Sequence, residues 1–240
     1  MPNESTDGAC AAAFAASRSG RVLVEQYLAG DEFSIETFAI AGQTYILAVT
    51  RKEKMPGTQG TVSIEIATPE LPDALMQRIG NVAVRALEIL GYTDGPGHTE
   101  VMLDSDGNPF PIDAAGRGGG FMVAEGIAPA VSGYALAEAT VLTAVGRAPP
   151  LPGPLRRAAT LRFFPARAGV VRAIRGFDAL NLHKEVRGES FVSVGECIGL
   201  RHTKADRLGY LLASADTAAL ARRRADLAQE LIEFDIKTKH

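Results

Sequence analysis

Two periods organise the apolar and polar positions of this 240-residue chain, and each predicts its own kind of element. Over residues 32–40, Phe33, Ile35, Thr37 and Ala39 alternate with Ser34, Glu36 and Phe38, the period of two that a strand requires. Residues 22–28, apolar and β-branched at their start, predict a second strand. Residues 44–50, entered through Ala41-Gly42-Gln43, predict a third. Residues 51–60 (RKEKMPGTQG) are polar and punctuated by Gly and Pro, and read as a solvated loop that includes Lys52 and Lys54. An extended piece over 61–67 follows. Across 69–90, Leu75, Ile79, Val82, Ala86 and Ile89 recur at steps of three and four and predict an amphipathic helix. Pro69 suits its first turn and Gly91 the position past its end.

Residues 101–112 read as a hairpin closed by Ser105-Asp106-Gly107-Asn108, because Asp-Gly favours tight connections between strands. A Gly-rich loop at 116–120 precedes a helix over 134–145, stopped by Gly146. Four prolines within APPLPGP (148–154) mark a boundary. Short strands near 158–164, 168–174, 190–195 and 207–213 then lead to a last helix over 216–233, and weak helical character lies near 9–17. Strands and helices mix without strict alternation, which predicts an α+β fold with mixed or antiparallel sheets flanked by helices. The divisions are 1–20, a core over 21–150 and a C-terminal α+β subdomain over 151–240.

Composition narrows the function. A formal net charge of −3 argues against a nucleic-acid partner. The one basic run, Arg222 to Arg224, reads as a solvated helix face. Two cysteines, Cys10 and Cys197, provide neither a disulfide framework nor a paired-cysteine metal site. No apolar run approaches the roughly 18 residues of a membrane span, and the expectation is a soluble, cytoplasmic chain without a membrane partner.

The hairpin carries the candidate chemistry. With Asp106 and Gly107 as its two central residues, facing positions sum to 213, so Glu100 faces Asp113 and shares a sheet face with Met102 and Asp104. Opposed carboxylates sit about 4.5–5.5 Å apart at Cβ and repel, and a cation between them removes the repulsion. Mg²⁺ (or Mn²⁺) suits such a pair, since Mg²⁺ takes one or two carboxylates plus substrate phosphates. The following AAGRGGG (114–120) sets Arg117 among four glycines, where backbone N–H groups can approach an anion.

Three stretches, VLVEQYLAGDEFSIETF (22–38), GYTDGPGHTEVMLDSDGNPFPIDAAGRGGG (91–120) and GVVRAIRGFDAL (169–180), resemble the ATP-grasp superfamily, in its carboxylate–amine ligase branch related to L-amino acid ligases. The resemblance spans about residues 20–235. It implies an ATP-grasp fold, in its C-terminal part, and ligation of a carboxylate to an amine through an acyl phosphate, with ATP and Mg²⁺. Under it, residues 25–28 form a hinge whose backbone near Gln26 and Leu28 meets adenine, with Glu25 at its start. Glu32 accepts from the ribose, Met102 packs on the adenine, and Glu100 and Asp113 hold the metal. Arg117, Gly118 and Gly119 meet the substrate carboxylate and acyl phosphate, and His98 lines the amino-acid site.

The pattern also departs from the family. The second metal carboxylate is an aspartate, Asp113, and Ala115 stands where an asparagine ligand is usual. Residues 3–9 (NESTDGA) fall where the remnant of an earlier Gly-rich loop is expected, which implies a fragment or a separate polypeptide supplying an N-terminal half. A homodimer is the other partner expected. The function class that competes with a ligase is a non-catalytic nucleotide-binding module or subunit of a split enzyme.

Overall fold

In the computed structural model, which describes residues 3–56, 62–199 and 207–238, the alternation at 32–40 becomes strand β1 (Asp31–Ile40). It lies antiparallel between β2 (Gln43–Lys54) and β4 (Gly95–Leu103). With β3 (Ser63–Ala67), β5 (Pro109–Ala115), β6 (Ala158–Pro165), β8 (Val186–Ser190) and β10 (Arg207–Ala215), these form one antiparallel sheet in the order β5-β4-β1-β2-β3-β6-β10-β8. The pairing of β3 with β6 carries this sheet straight across the boundary expected at 150. A small second sheet has the order β11-β7-β9, from β7 (Gly169–Arg175), β9 (Cys197–Ile198) and β11 (Glu233–Lys237).

Side-chain parity assigns the two faces of the large sheet. Phe33, Ile35, Val49 and Val101 pack on helix α2 (Asp73–Ile89). Leu211 and Ala213 pack, with Leu180 of the short α5 (Phe177–Leu180), on α6 (Ala218–Leu231), whose N-cap Thr217 accepts a hydrogen bond from the Leu220 N–H. The opposite face holds Ala48, Ile66, Leu161 and Phe163 against a π-turn (Val123–Ile127) and the short α3 (Ala128–Ser132). Beside them, Phe38 and Leu47 pack on α4 (Leu136–Ala144). This second face carries the site.

Several expectations need correction. Residues 22–28 form no strand; they run as irregular, largely exposed chain after α1 (Asn3–Ala16), and residues 3–9 are the start of that helix rather than a loop. Residues 51–54 belong to β2, not to a loop, and part of the expected loop and the start of the next strand fall at 57–61, outside the described residues. α2 begins four residues late because Pro72 disfavours a helical Leu71, and Pro72 itself is extended. Its buried residues are Ile79, Gly80, Ala83 and Leu87, while Ile89 is 70% exposed, so the true contact stripe is rotated from the expected one. The strand expected at 190–195 is displaced to β8, where Ser190 Oγ, donating to the Val192 carbonyl at 2.7 Å, closes a turn. Arg222 and Arg224 are not merely solvated: they bond to Glu65 (2.8 Å) and Glu185 (2.5 Å) and fasten α6 to the sheet and to the chain beside β8. Both cysteines are free. Among the described residues no single helix is long and apolar enough to cross a membrane.

Candidate active site

Antiparallel register gathers the polar residues of three strands onto one face. Glu36 stands opposite His98, Ser34 opposite Glu100, and Glu32 opposite Met102. The next strand outward brings Asp113 opposite Glu100, the pairing expected from the sequence, by a different route. The turn is one residue longer than expected: the N–H of Asp104 donates to the Asn108 carbonyl, Gly107 sits at φ 77°, and pairs near the turn sum to 212. A bulge beyond Glu100 adds the residue back, so the sum returns to 213 at Glu100 and Asp113.

Lys52 links the carboxylates. Its side chain is 9% exposed, and its ammonium bonds both Glu32 and Glu100, while Lys54 adds a second contact to Glu32. On the next pair inward, His98 Nδ1 bonds Glu36, which is 1% exposed, and His98 Nε2 lies 3.6 Å from Glu100 Oε1. The other oxygen of Glu36 accepts the Gly119 N–H at 2.9 Å. Thus Glu36 ties the floor of the sheet to the Gly-rich loop. A Cβ at Gly119 would lie 2.4 Å from Glu36 Oε1 and 2.7 Å from His98 Nδ1, so closeness to this pair requires the glycine. Gly118 is constrained similarly, by Ala124 at 2.6 Å. Beyond the loop, Phe121 and Met122 both adopt positive φ, a strain of about 1–3 kcal/mol each, and lead into the π-turn.

Two cavities share Lys52 as a wall. One, of about 450 Å³, is lined by Lys52, His98, Glu100, Arg117 and Gly118 to Gly120, with Phe121 and Arg207. The other, of about 300 Å³, is lined by Tyr27, Leu28, Glu32, Lys52 and Met102. The structure therefore brings together Leu28, Glu32 and Met102 in one cavity and His98, Glu100, Arg117, Gly118 and Gly119 in the next. Asp113 is exposed on the edge strand beside Glu100. Glu25 and Gln26 are exposed and line neither cavity. A larger cavity of about 660 Å³ opens between residues 183–186 and α6, walled by leucines and the Arg224–Glu185 pair, with none of the site residues.

Glu36, Lys52 and Arg207 were missed by the sequence reading. Glu36 had a signal, since it shares strand parity with Glu32 and Ser34. Lys52 lost its signal when its strand was ended at residue 50. For Arg207, a single cation opening an apolar strand, no spacing pointed to a role.

Charge in the cluster is strongly coupled. Burial, the largest influence on His98, opposes its imidazolium, but the adjoining Glu100 and Glu36 carboxylates outweigh it and raise the group to about 9. The His98 imidazolium, followed by Lys52, overcomes the burial of Glu100 and lowers its carboxyl to about 2. The folded state thus holds the His98 proton more tightly than the unfolded chain, whose value is 6.5, so this stabilisation is complete below 6.5 and lost as pH rises through about 9. Glu100 acts at the acid end: its contribution is complete above 4.5 and lost as pH falls through about 2. Urea unfolding at about pH 6 and about pH 10 should show wild type losing on the order of 2 kcal/mol more than His98→Gln. Equal losses would remove His98 as the cause.

The donor set fits a hard cation. Mg²⁺ needs only one or two carboxylates beside phosphate oxygens and water. Glu100 and Asp113 share a sheet face, and both Glu100 contacts fall on Oε1, leaving Oε2 outside them. Among the described residues no group of three or more His, Cys, Asp or Glu could hold a metal, so phosphate would have to complete the coordination.

Comparison with known proteins bears on the fold. A family model described as ATP-grasp domain matches residues 7–125, and one described as L-amino acid ligase C-terminal domain 2 matches residues 162–237. Among solved structures, the L-amino acid ligase from Bacillus licheniformis is 23% identical with a TM-score of 0.76, over 89% of this chain and 56% of its own. Phosphoribosylglycinamide synthetase from Anaerococcus prevotii is 16% identical with a TM-score of 0.78, over 99% of this chain and 61% of its own. The biotin carboxylase domain of the Hydrogenobacter thermophilus 2-oxoglutarate carboxylase, in complex with MgADP, ADP and bicarbonate, is 17% identical with a TM-score of 0.77, over 97% of this chain and 52% of its own. At these identities the structures share the fold, and this chain spans about half to three-fifths of their lengths. No curated protein matches the chain significantly.

Proposed function

We propose a function from one premise: the chain belongs to the ATP-grasp superfamily, with an L-amino acid ligase C-terminal domain after its ATP-grasp domain. It is the nucleotide- and metal-binding part of an ATP-dependent ligase that joins a carboxylate to an amine, acting in the cytoplasm. The observation that carries this reading is the position of Lys52, a wall common to two cavities of different chemistry. Leu28 and Met102 offer apolar surfaces to an adenine, and Glu32 offers an acceptor to ribose hydroxyls. Lys52 lies where phosphates would pass from this cavity to the next.

In the second cavity the reaction takes two steps. A substrate carboxylate oxygen attacks the γ-phosphorus of ATP and ADP leaves, giving an acyl phosphate; the amine nitrogen then attacks the carbonyl carbon, loses a proton, and phosphate leaves. Little covalent work falls to the protein, and rate comes from position and charge. Arg117 faces the acyl phosphate, and His98, held as a cation, faces the same charge from the floor. Mg²⁺, held by Glu100 and Asp113, would neutralise phosphate charge.

Calorimetry with ADP, with and without Mg²⁺, tests the reading. Glu100→Gln should weaken the Mg²⁺-dependent part at least about tenfold and leave metal-free ADP binding unchanged. Wild type that binds ADP equally well without metal would overturn the metal assignment. A second reading, a nucleotide-binding module without turnover, is favoured by the sparse donor set. It predicts Mg²⁺-dependent ADP binding with no phosphate release from ATP across pairs of L-amino acids.

A further inference from the structure

Four charged residues of the described chain are buried: Glu36, Glu65, His98 and Arg207. Glu36 and His98 neutralise each other, and Glu65 lies between Arg162 and Arg222. Arg207, 5% exposed, has no carboxylate within 4 Å among the described residues. Its side chain passes the β6 residue Phe163 to reach β3, where Nη2 donates to the Ser63 carbonyl at 2.8 Å. Nε and Nη1 are closed to solvent and find no hydrogen-bond partner among the described residues. A guanidinium has five N–H donors, and leaving most of them unused in a buried place is costly.

The same group is held in a fixed position. Its Cζ lies 3.5 Å from the ring centre of Phe163 and 4.5 Å from that of Phe121, contacts that favour a cation. Burial lowers its pKa to about 10, so it stays charged at neutral pH. It lines the 450 Å³ cavity together with Arg117, His98 and Lys52. Of its two ring neighbours, Phe163 is buried, whereas Phe121, just past the Gly-rich loop, is 47% exposed, which makes its side the more open approach to the guanidinium.

We propose that Arg207 is a second anion-receiving residue of this cavity, binding an oxyanion of the reactants, carboxylate or phosphate, with the donors that find no partner among the described residues. The assignment rests on the ligase reading for its reactants, and it adds the C-terminal domain to the groups that hold them. A planar guanidinium on aromatic faces suits a planar or tetrahedral oxyanion better than an ammonium would.

The test is thermal unfolding of wild type, Arg207→Met and Arg207→Lys in a zwitterionic buffer, then with inorganic phosphate and, separately, propanoate. Sodium chloride matches the ionic strength throughout. Arg207→Met should unfold at the wild-type temperature or above it without anions, because an unpaired buried charge is gone. Its anion-dependent rise should fall below about one third of wild type. Loss confined to phosphate assigns the phosphoryl side, and loss confined to propanoate assigns the substrate carboxylate. A Met variant that unfolds several degrees lower with an unchanged anion response makes Arg207 a structural strut and overturns the proposal. If that variant does not fold, Arg207→Lys decides: a reduced response supports the assignment and an unchanged one overturns it. MgADP calorimetry on the same samples separates the two readings, because wild type that binds no MgADP yet keeps an Arg207-dependent anion response defeats the ligase function alone.

Discussion

Alanine in place of Glu36 should cost the fold about 3–5 kcal/mol, the effect of breaking a buried ion pair by removing one partner. Glu36 is 1% exposed, and its two oxygens serve different segments: one bonds His98 Nδ1 and the other accepts the Gly119 N–H. Without it, the imidazolium keeps only Glu100, and a buried backbone donor loses its acceptor. Native proteins are stable by only about 5–15 kcal/mol, so the variant should lose a large share of its stability and shift its urea midpoint to lower concentration. Glu36→Gln keeps an acceptor for Gly119 and should cost less than alanine. It should also lower the pH above which His98 loses its proton, readable from the histidine ring signals by NMR. A cost below about 1 kcal/mol for alanine would mean that the pair is not held closed in solution.

The same pair marks the limit of sequence reading. Period two over 32–40 placed Glu36 on the face of Glu32 and Ser34, but nothing in the pattern says that this face turns inward: only the arrival of β4 and the loop over it does. The opposed carboxylates Glu100 and Asp113 were legible because strand pairing is local, and even there two irregularities had to cancel, a longer turn and a bulge. Lys52 was obscured by polar neighbours, since the alternation of β2 continues past Thr50 with charges on both faces. Residues 22–28 misled in the opposite direction: apolar and β-branched, they carry strand propensity, yet Leu23, Val24 and Tyr27 are all exposed. The segment 123–132 was missed because it starts after two residues at positive φ and coils first as a π-turn, leaving only five residues of α-helix, too few to show a helical period. The family resemblance added what periodicity lacked by setting Leu28 and Met102 at one adenine, and both line one cavity.

The Gly-rich loop shows how one motif admits two physical readings. Four glycines around Arg117 suggested a cradle for an anion, but the Gly119 N–H is already given to Glu36, and the space at Gly119 and Gly118 is filled by neighbours of the protein itself. Gly120 is different: a Cβ there would meet nothing within 4 Å, and its φ is ordinary. The glycines at 118 and 119 thus set how low the loop lies on the Glu36–His98 floor, and that height sets where Arg117 stands.

Under the proposed ligase function, Gly119→Ala should therefore lower phosphate release during ligation by about a hundredfold, the loss that follows a displacement of about 1 Å at a reacting centre. The added methyl meets Glu36 and His98, which are bonded to each other and cannot both withdraw, so the loop must lift and carry Arg117 with it. The adenine side of the site does not touch this loop: Leu28 and Met102 line the other cavity. MgADP affinity by calorimetry should then stay within about threefold of wild type, while turnover falls. Gly120→Ala is the control and should leave both values in place. Parallel losses of turnover and MgADP affinity in Gly119→Ala would mean that the clash spreads through the Glu36–His98–Glu100 contacts to Lys52, making the two cavities one mechanical unit. Unchanged turnover would mean that the loop settles at a new height without moving Arg117, which would remove the loop from the list of groups that position the reaction.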